Sequence, residues 1–294
     1  MTSPSPTWAN CITSLGSRLF ITPRVYSSHN INCINDLLHR TNMQNAKPVK
    51  TPMSTSEKLS VFSGQPFEDP TLYRSIVGSL QYLSLTRPDL TFALGKVCQF
   101  MNSPRVPHWQ AVKQILRYLK HMTTVGLQLS PSSPAQLTAW SDADWAGCPD
   151  NRHSTSGYCI FLGSNLVSWS SKKQPIVARS SIEAEFKVVA NATAEVIWLQ
   201  HLCRDLGVHL KCPPLLYCDN MGAMYLSSNP VFHARTKHVE IDFHFVRNRV
   251  KKKSLRVAFI SGKDQLADVL TKPLSSPQFA SLYQVFIYSL CRST

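Results

Sequence analysis

LTAWSDADWAGCPDNRHSTSGYCIFLGSNLVSWS, residues 137–170, decides the fold. Leu137–Ser141, Tyr158–Leu162 and Leu166–Ser170 are short strand-forming runs, and Gly163, Ser164 and Asn165 supply the turn between the last two. They predict three strands in a meander. The next stretch of chain has a longer period: a helix from about Ser181 to Leu206 carries Val189, Ala192, Val196 and Leu199 as an apolar stripe, and Gly207 stops it as a C-cap. Beyond it the pattern predicts a strand Leu215–Cys218, a helix from about Asn220, a helix from about Val239 to Lys252, a strand Leu255–Ile260 and a closing helix from about Lys263. A meander continued by alternating helices and strands implies an α/β fold, a mixed sheet with helices packed on it.

Toward the N terminus, a polar, Pro-containing link from Ser130 to Pro134 separates this unit from an earlier, helical one. Leu72, Ile76, Leu80 and Leu83 recur at helical spacing, and a second helix runs from the RPD turn through Phe92 to Met101. A third starts at Pro107 and sets Val112, Ile115, Leu116 and Leu119 opposite Lys113, Arg117 and Lys120. Residues 1–66 are rich in Ser, Pro, Asn and Thr and read as a poorly ordered leader and linker, with one short helix near Cys33 to Arg40. The expected division is therefore 1–66 leader and linker, 67–130 helical region, 135–283 α/β domain and 284–294 tail.

Lys and Arg outnumber Asp and Glu by 31 to 17, and the formal charge of +14 points to a polyanionic partner. Nucleic acid fits that partner. No apolar run approaches the roughly 18 residues of a spanning helix, so a membrane partner is not expected. Nine cysteines occur without a CxxC pair, which argues against a zinc site or a disulfide framework and for a reducing cytoplasmic or nuclear setting. The Ser-rich N-terminal stretch with Arg18 and Arg24 superficially resembles a transit peptide, but it lacks a secretory type of apolar core and is read instead as a polar, poorly ordered leader.

Four acids fall where strands end or helices begin: Asp142 in SDADWAG, Glu185 in SSIEAEF, Asp219 in YCDN and Asp268 in QLADVLTK. A lone Asp at a strand end is ordinarily a turn former or helix cap. Carboxylates converging from separate elements are instead what a pair of Mg²⁺ ions requires, since hard cations prefer oxygen ligands. Glu183 and Glu185 lie two apart on one helix and point about 200° away from each other, so one is a bystander. Glu185 is in line with the sheet-facing stripe and is the better ligand. Asp144 reads as a turn-stabilising acid and a second-choice ligand.

The strings SDADWAGC, RHSTSGYCIFLG, VSWSSKKQPIVARSSIEAEF, YCDN, RTKHVEIDFHFVR and QLADVLTKPL resemble the ribonuclease H domain of copia-type LTR retrotransposon Pol polyproteins. RTNMQNAKPVKTPM, DPTLYRSIVGSLQYLSLTRPDLTFALGKVCQFM and HWQAVKQILRYLK are similar to the end of the same family's reverse transcriptase, its thumb and connection. The resemblance implies a ribonuclease H-like five-stranded mixed sheet with flanking helices, preceded by that small helical region. It further implies Mg²⁺-dependent cleavage of the RNA strand of RNA/DNA hybrids, with two Mg²⁺, replaceable by Mn²⁺, held by Asp142, Glu185, Asp219 and Asp268. The family's polymerase palm, with its Tyr-x-Asp-Asp site, has no counterpart here, which suggests a truncated copy whose partners are the hybrid and the absent reverse-transcriptase core or another polyprotein copy. The helices' apolar stripes would then lack their usual cover. Cellular ribonucleases H carry a His in the loop before the last Asp; SGKDQ has none, and Ile182 stands where the family has Thr.

From Arg235 to Arg256 eight Lys or Arg stand against two acids, with Phe243, His244 and Phe245 interleaved. Arg235, Lys237, His238, Arg247, Lys251, Lys252 and Lys253 are the candidate phosphate contacts, against the plainer reading of a solvated helix face. Three functions compete: a metal-dependent ribonuclease H, a catalytically inactive nucleic-acid-binding remnant, and an integrase-like enzyme. The last needs the order Asp, Asp, Glu, whereas here Glu comes second.

Overall fold

In the computed structural model, residues 23–123, 125–127, 135–228 and 240–286 are described. The chain forms α1 (Pro23–Arg40), α2 (Pro70–Leu83), α3 (Thr91–Cys98), α4 (Val106–His121), β1 (Leu137–Asp144), β2 (Thr155–Leu162), β3 (Asn165–Lys173), α5 (Ser181–Asp205), β4 (Leu215–Cys218), α6 (Met221–Ser228), α7 (Glu240–Lys251), β5 (Arg256–Phe259) and α8 (Ser276–Phe286). The five strands make one mixed sheet in the order β3-β2-β1-β4-β5. β1 pairs antiparallel with β2 and parallel with β4, and β4 pairs parallel with β5. A three-strand meander extended through helical crossovers is the ribonuclease H-like architecture expected.

Each strand of the meander runs further than its apolar pattern suggests. β1 continues through Asp144 and β3 through Lys173, because backbone pairing with β2 needs no apolar side chain. β2 alternates cleanly, sending Cys159 and Phe161 into one core and Ile160 and Leu162 into the other. The second core closes over α5, whose Phe186, Val189, Val196 and Leu199 pack on Leu137, Ala139 and Leu216. Ser180 caps α5 by accepting the Glu183 N–H at 3.2 Å, and Gly207, with φ +72°, lies just past its end.

The first core corrects two expectations. Ile34, Leu37, Leu38, Met43 and Met53 are buried in it, so the segment read as a poorly ordered linker contributes to the core among its described residues. Its helix α1 is 18 residues long, starting well before the short helix expected near Cys33 to Arg40. The stripes of α2 and α4 also find cover: they share this core with Cys159, Phe161 and Leu166 of the sheet and with Leu266, Val269, Leu270, Phe279 and Leu282. The helical half is therefore packed on one face of the sheet, with α5 on the other. Residues 1–22 and 287–294 lie outside the described residues.

The segment after β5 departs from the predicted closing helix. Gly262–Asp264 and Leu266–Leu270 are short 3₁₀ turns, and the α-helix begins only at Ser276. Pro273 explains the break, since its ring would clash with a carbonyl one turn earlier in a continuing helix. Gln265, 0% exposed, fastens the second turn by accepting the Ala267 N–H at 3.2 Å and donating to the Ser141 carbonyl at 3.0 Å. No helix among the described residues is long and apolar enough to cross a membrane.

Candidate active site

The parallel pairing of β1 with β4 places Ser141 opposite Cys218. Asp142 follows on β1 and Asp219 is the first residue past β4, so their carboxylates emerge side by side at the carboxyl end of the parallel pair, where crossover sheets leave a crevice. Asp142 lies within β1 rather than at its end, opposite Gly157 of β2. That glycine lets a third element in. A Cβ on Gly157 would stand 2.6 Å from Thr271 Cγ2 and 2.9 Å from Leu270 Cβ, so the 266–271 turn lies directly on the strand and carries Asp268 to Asp142. Asp142, Asp219 and Asp268 each present a carboxylate oxygen within 4.8 Å of the others.

Glu185 enters from the other face of the sheet, in the first turns of α5. Its Oε1 accepts the Ala143 N–H at 3.1 Å, and it lies within 4.8 Å of Asp219. Its Oε2 is buried and has no hydrogen-bond partner. Glu183 turns elsewhere: it accepts the Arg179 N–H at 2.8 Å and pairs with Lys187 at 2.7 Å, the work of a helix-start acid. Asp144 belongs to neither carboxylate group. It packs against Gly147 and faces Lys96, and burial raises its pKa while Lys96 opposes the rise.

Four carboxylates thus lie close together, three of them buried and Asp219 half-buried, with a single ammonium beside them among the described residues. Lys272 Nζ stands 2.8 Å from Asp268 Oδ1 and 3.6 Å from Asp142 Oδ2, and the Thr271 hydroxyl donates to Asp142 Oδ2. Burial, then the negative charge of Asp142 and Asp219, pushes the Glu185 carboxyl up to about 9. Burial and then Asp142 push Asp268 up to about 7, against the pull of Lys272. Asp219 is raised for the same reasons. Lys272 is held well above the ordinary lysine range by Asp142 and Asp268, which outweigh its own desolvation. Carboxyls that hold protons this strongly in the metal-free site would release them to a cation.

The chemistry of the donors selects among cations. The carboxylates are hard oxygen ligands. Among the described residues the thiol beside them, Cys218, is 0% exposed and kept protonated by burial, and it receives the Asn220 N–H at 3.4 Å. The buried, unpartnered Glu185 Oε2 is the lone pair that a cation would satisfy.

Sequence reading finds the four acids but not what assembles them. Gly157, Gln265, Thr271 and Lys272 escape it. For Gly157 a signal is present, a glycine interrupting a strand pattern. Of the basic candidates, Arg235, Lys237 and His238 lie outside the described residues. Arg247 stacks over Phe243, 5.8 Å from its centroid. Lys251, Lys252 and Lys253 are exposed at the C-terminal end of α7, where the helix dipole itself favours cations.

The chain is 54% identical over 244 residues to the Retrovirus-related Pol polyprotein from transposon RE2 of Arabidopsis thaliana, covering 83% of this chain and 17% of that one. It is 41% identical over 255 residues to the corresponding polyprotein from transposon TNT 1-94 of Nicotiana tabacum, covering 84% of this chain and 19% of that one. It spans less than a fifth of the length of these relatives. Among solved structures, LC11-RNase H1, isolated from compost by a metagenomic approach, aligns over 47% of this chain and 94% of its own with a TM-score of 0.37 at 15% identity. No family model matches the chain.

Proposed function

The chain belongs to the copia-type retrotransposon Pol polyproteins, and from that premise we propose that it is a divalent-cation-dependent ribonuclease H that cleaves the RNA strand of RNA/DNA hybrids during reverse transcription. One observation carries the reading. Asp142, Glu185, Asp219 and Asp268 come from four separate elements to the carboxyl end of β1 and β4, and the protein leaves Glu185 Oε2 there without a partner. A structural cluster would have been neutralised. This one is complete only with cations.

Two Mg²⁺ fit the donor set, with Mn²⁺ as a substitute: Asp219 is common to both groups of neighbouring ligands, with Asp142 and Asp268 in one and Glu185 in the other. When bound, such ions acidify a water and take up charge on the scissile phosphate. The chain's own contribution is positional. The Ala143 amide orients Glu185, the Thr271 hydroxyl holds Asp142, and the 266–271 turn excludes water from the core side of the cluster. The products would be an RNA 3′-hydroxyl and a 5′-phosphate. Arg247, Lys251, Lys252 and Lys253, with Arg235, Lys237 and His238, would meet phosphates of the hybrid, a contribution seen as a salt dependence of binding.

The test is cleavage of a labelled RNA/DNA hybrid in Mg²⁺ by the native chain and by Asp142→Asn. Cleavage by the native chain alone is expected. Equal rates remove the assignment. Hybrid binding with a steep salt dependence but no cleavage in Mg²⁺ or Mn²⁺ would favour a binding remnant.

A further inference from the structure

Lys272 is not one of the acids that the family resemblance marks, yet it is the only ammonium or guanidinium among the described residues paired with the cluster's carboxylates. It comes directly after Thr271 on the turn that carries Asp268, so one short segment delivers a carboxylate, a hydroxyl that fixes Asp142, and a cation. The ammonium lies 2.8 Å from Asp268 Oδ1 and 3.6 Å from Asp142 Oδ2. Mg²⁺ coordinates oxygen at about 2.0–2.1 Å, so an ion shared by those two carboxylates and the ammonium in its present place exclude one another. Among the described residues no cation forms an ion pair with Glu185, whose Oε2 is buried without a hydrogen bond, whereas Asp268 Oδ1, also without one, has the ammonium beside it. The site is therefore asymmetric: one side is open and the other already holds a positive charge.

A lysine suits that place. It is a compact charge on a flexible four-carbon stem, and the Lys272 side chain is 38% exposed, so it can leave toward solvent without disturbing the core. We propose that Lys272 is a tethered cation that holds the Asp142–Asp268 side of the metal-free site and is displaced on loading, so that divalent ions enter in order, first at Glu185–Asp219 and then at Asp142–Asp268. The inference rests on the reading of these acids as cation ligands. Its consequence is a second binding step weaker than the first, with Lys272 as the cause.

Calorimetric titration of Mn²⁺ into the native chain, Lys272→Gln and Lys272→Arg tests it. Two unequal steps are expected for the native chain. In Lys272→Gln the weaker step tightens about tenfold while the stronger one holds, the size of a single ion-pair term. Lys272→Arg keeps a positive charge and stays within about twofold of the native value. A second measurement needs no variant: amine acetylation of Lys272 in the native chain, read by mass spectrometry, rises severalfold on adding Mn²⁺ while that of the remote Lys120 does not. A native chain that binds Mn²⁺ with Lys272→Gln unchanged or weaker, or with Lys272 labelling unmoved, overturns this inference alone. A native chain that binds no Mn²⁺ overturns the ligand reading and this inference with it.

Discussion

Arg87 and Asp89 are buried as deeply as the acids of the site, at 0% and 1% exposure, but on opposite terms. The Arg87 guanidinium donates to both Asp89 oxygens, at 3.0 and 2.8 Å, and to the Met122 and Val125 carbonyls at 3.0 and 3.2 Å. The Tyr118 hydroxyl completes Asp89 at 2.6 Å. Every charge there has its partner inside the protein. Around Asp142, four carboxylates face one ammonium among the described residues, Glu185 Oε2 and Asp268 Oδ1 are buried without a hydrogen bond, and burial raises the pKa values of Glu185, Asp219 and Asp268. Burying charge is costly in both places. In the helical half the fold offsets that cost itself, whereas in the sheet it leaves a deficit that the proposed cations would offset, and that difference is what would separate a structural ion pair from a binding site.

The comparison breaks most visibly at Asp142. Asp142→Asn removes a charge the metal-free fold does not need, so its metal-free melting temperature holds or rises while hybrid cleavage falls about 10⁴-fold, as when one member of a catalytic unit is lost. Calorimetry and a cleavage assay on one preparation check both halves. Arg87→Met gives the reverse: stranding Asp89 in the core costs about 3–5 kcal/mol, read by urea denaturation, and Mg²⁺ does not restore the loss.

Smaller and sharper is the pH response. Because the Glu185 carboxyl is raised from 4.5 to about 9, the native chain binds more protons there than the unfolded chain between those values. Metal-free stability therefore falls as pH rises through that window, and the penalty is absent below its lower end. Asp268 and Asp219 add to it in the same direction. A drop of about 1 kcal/mol, some 3 °C in melting temperature, is expected across the alkaline half, and Mg²⁺ or Glu185→Gln flattens it. Least of all, Thr271→Val removes the hydroxyl that holds Asp142 and costs about 1 kcal/mol of metal-free stability, with cleavage slowed rather than abolished.

The acids of the site are legible in the sequence because each belongs to a local string with its own context, and the sheet because periods of two and 3.6 are local signals. Hidden from it are the approaches between distant segments. Nothing in QLADVLTK says that Gly157, over a hundred residues earlier, leaves room for it. Pro273 does announce a break, and the predicted helix around Asp268 ignores it. In RPD the turn chemistry is plain, but not that Arg87 reaches Met122 and Val125 to become the best-satisfied charge among the described residues. The segment before residue 67 looks polar because its core contacts, Ile34, Leu37, Leu38, Met43 and Met53, are widely spaced.

The most direct measurement is the number of Mn²⁺ ions bound per chain, by equilibrium dialysis, in the native protein and in Asp142→Asn. Two ions in the native chain and at most one in the variant are predicted. The same number in both, or none in either, would contradict a site built to be neutralised by cations.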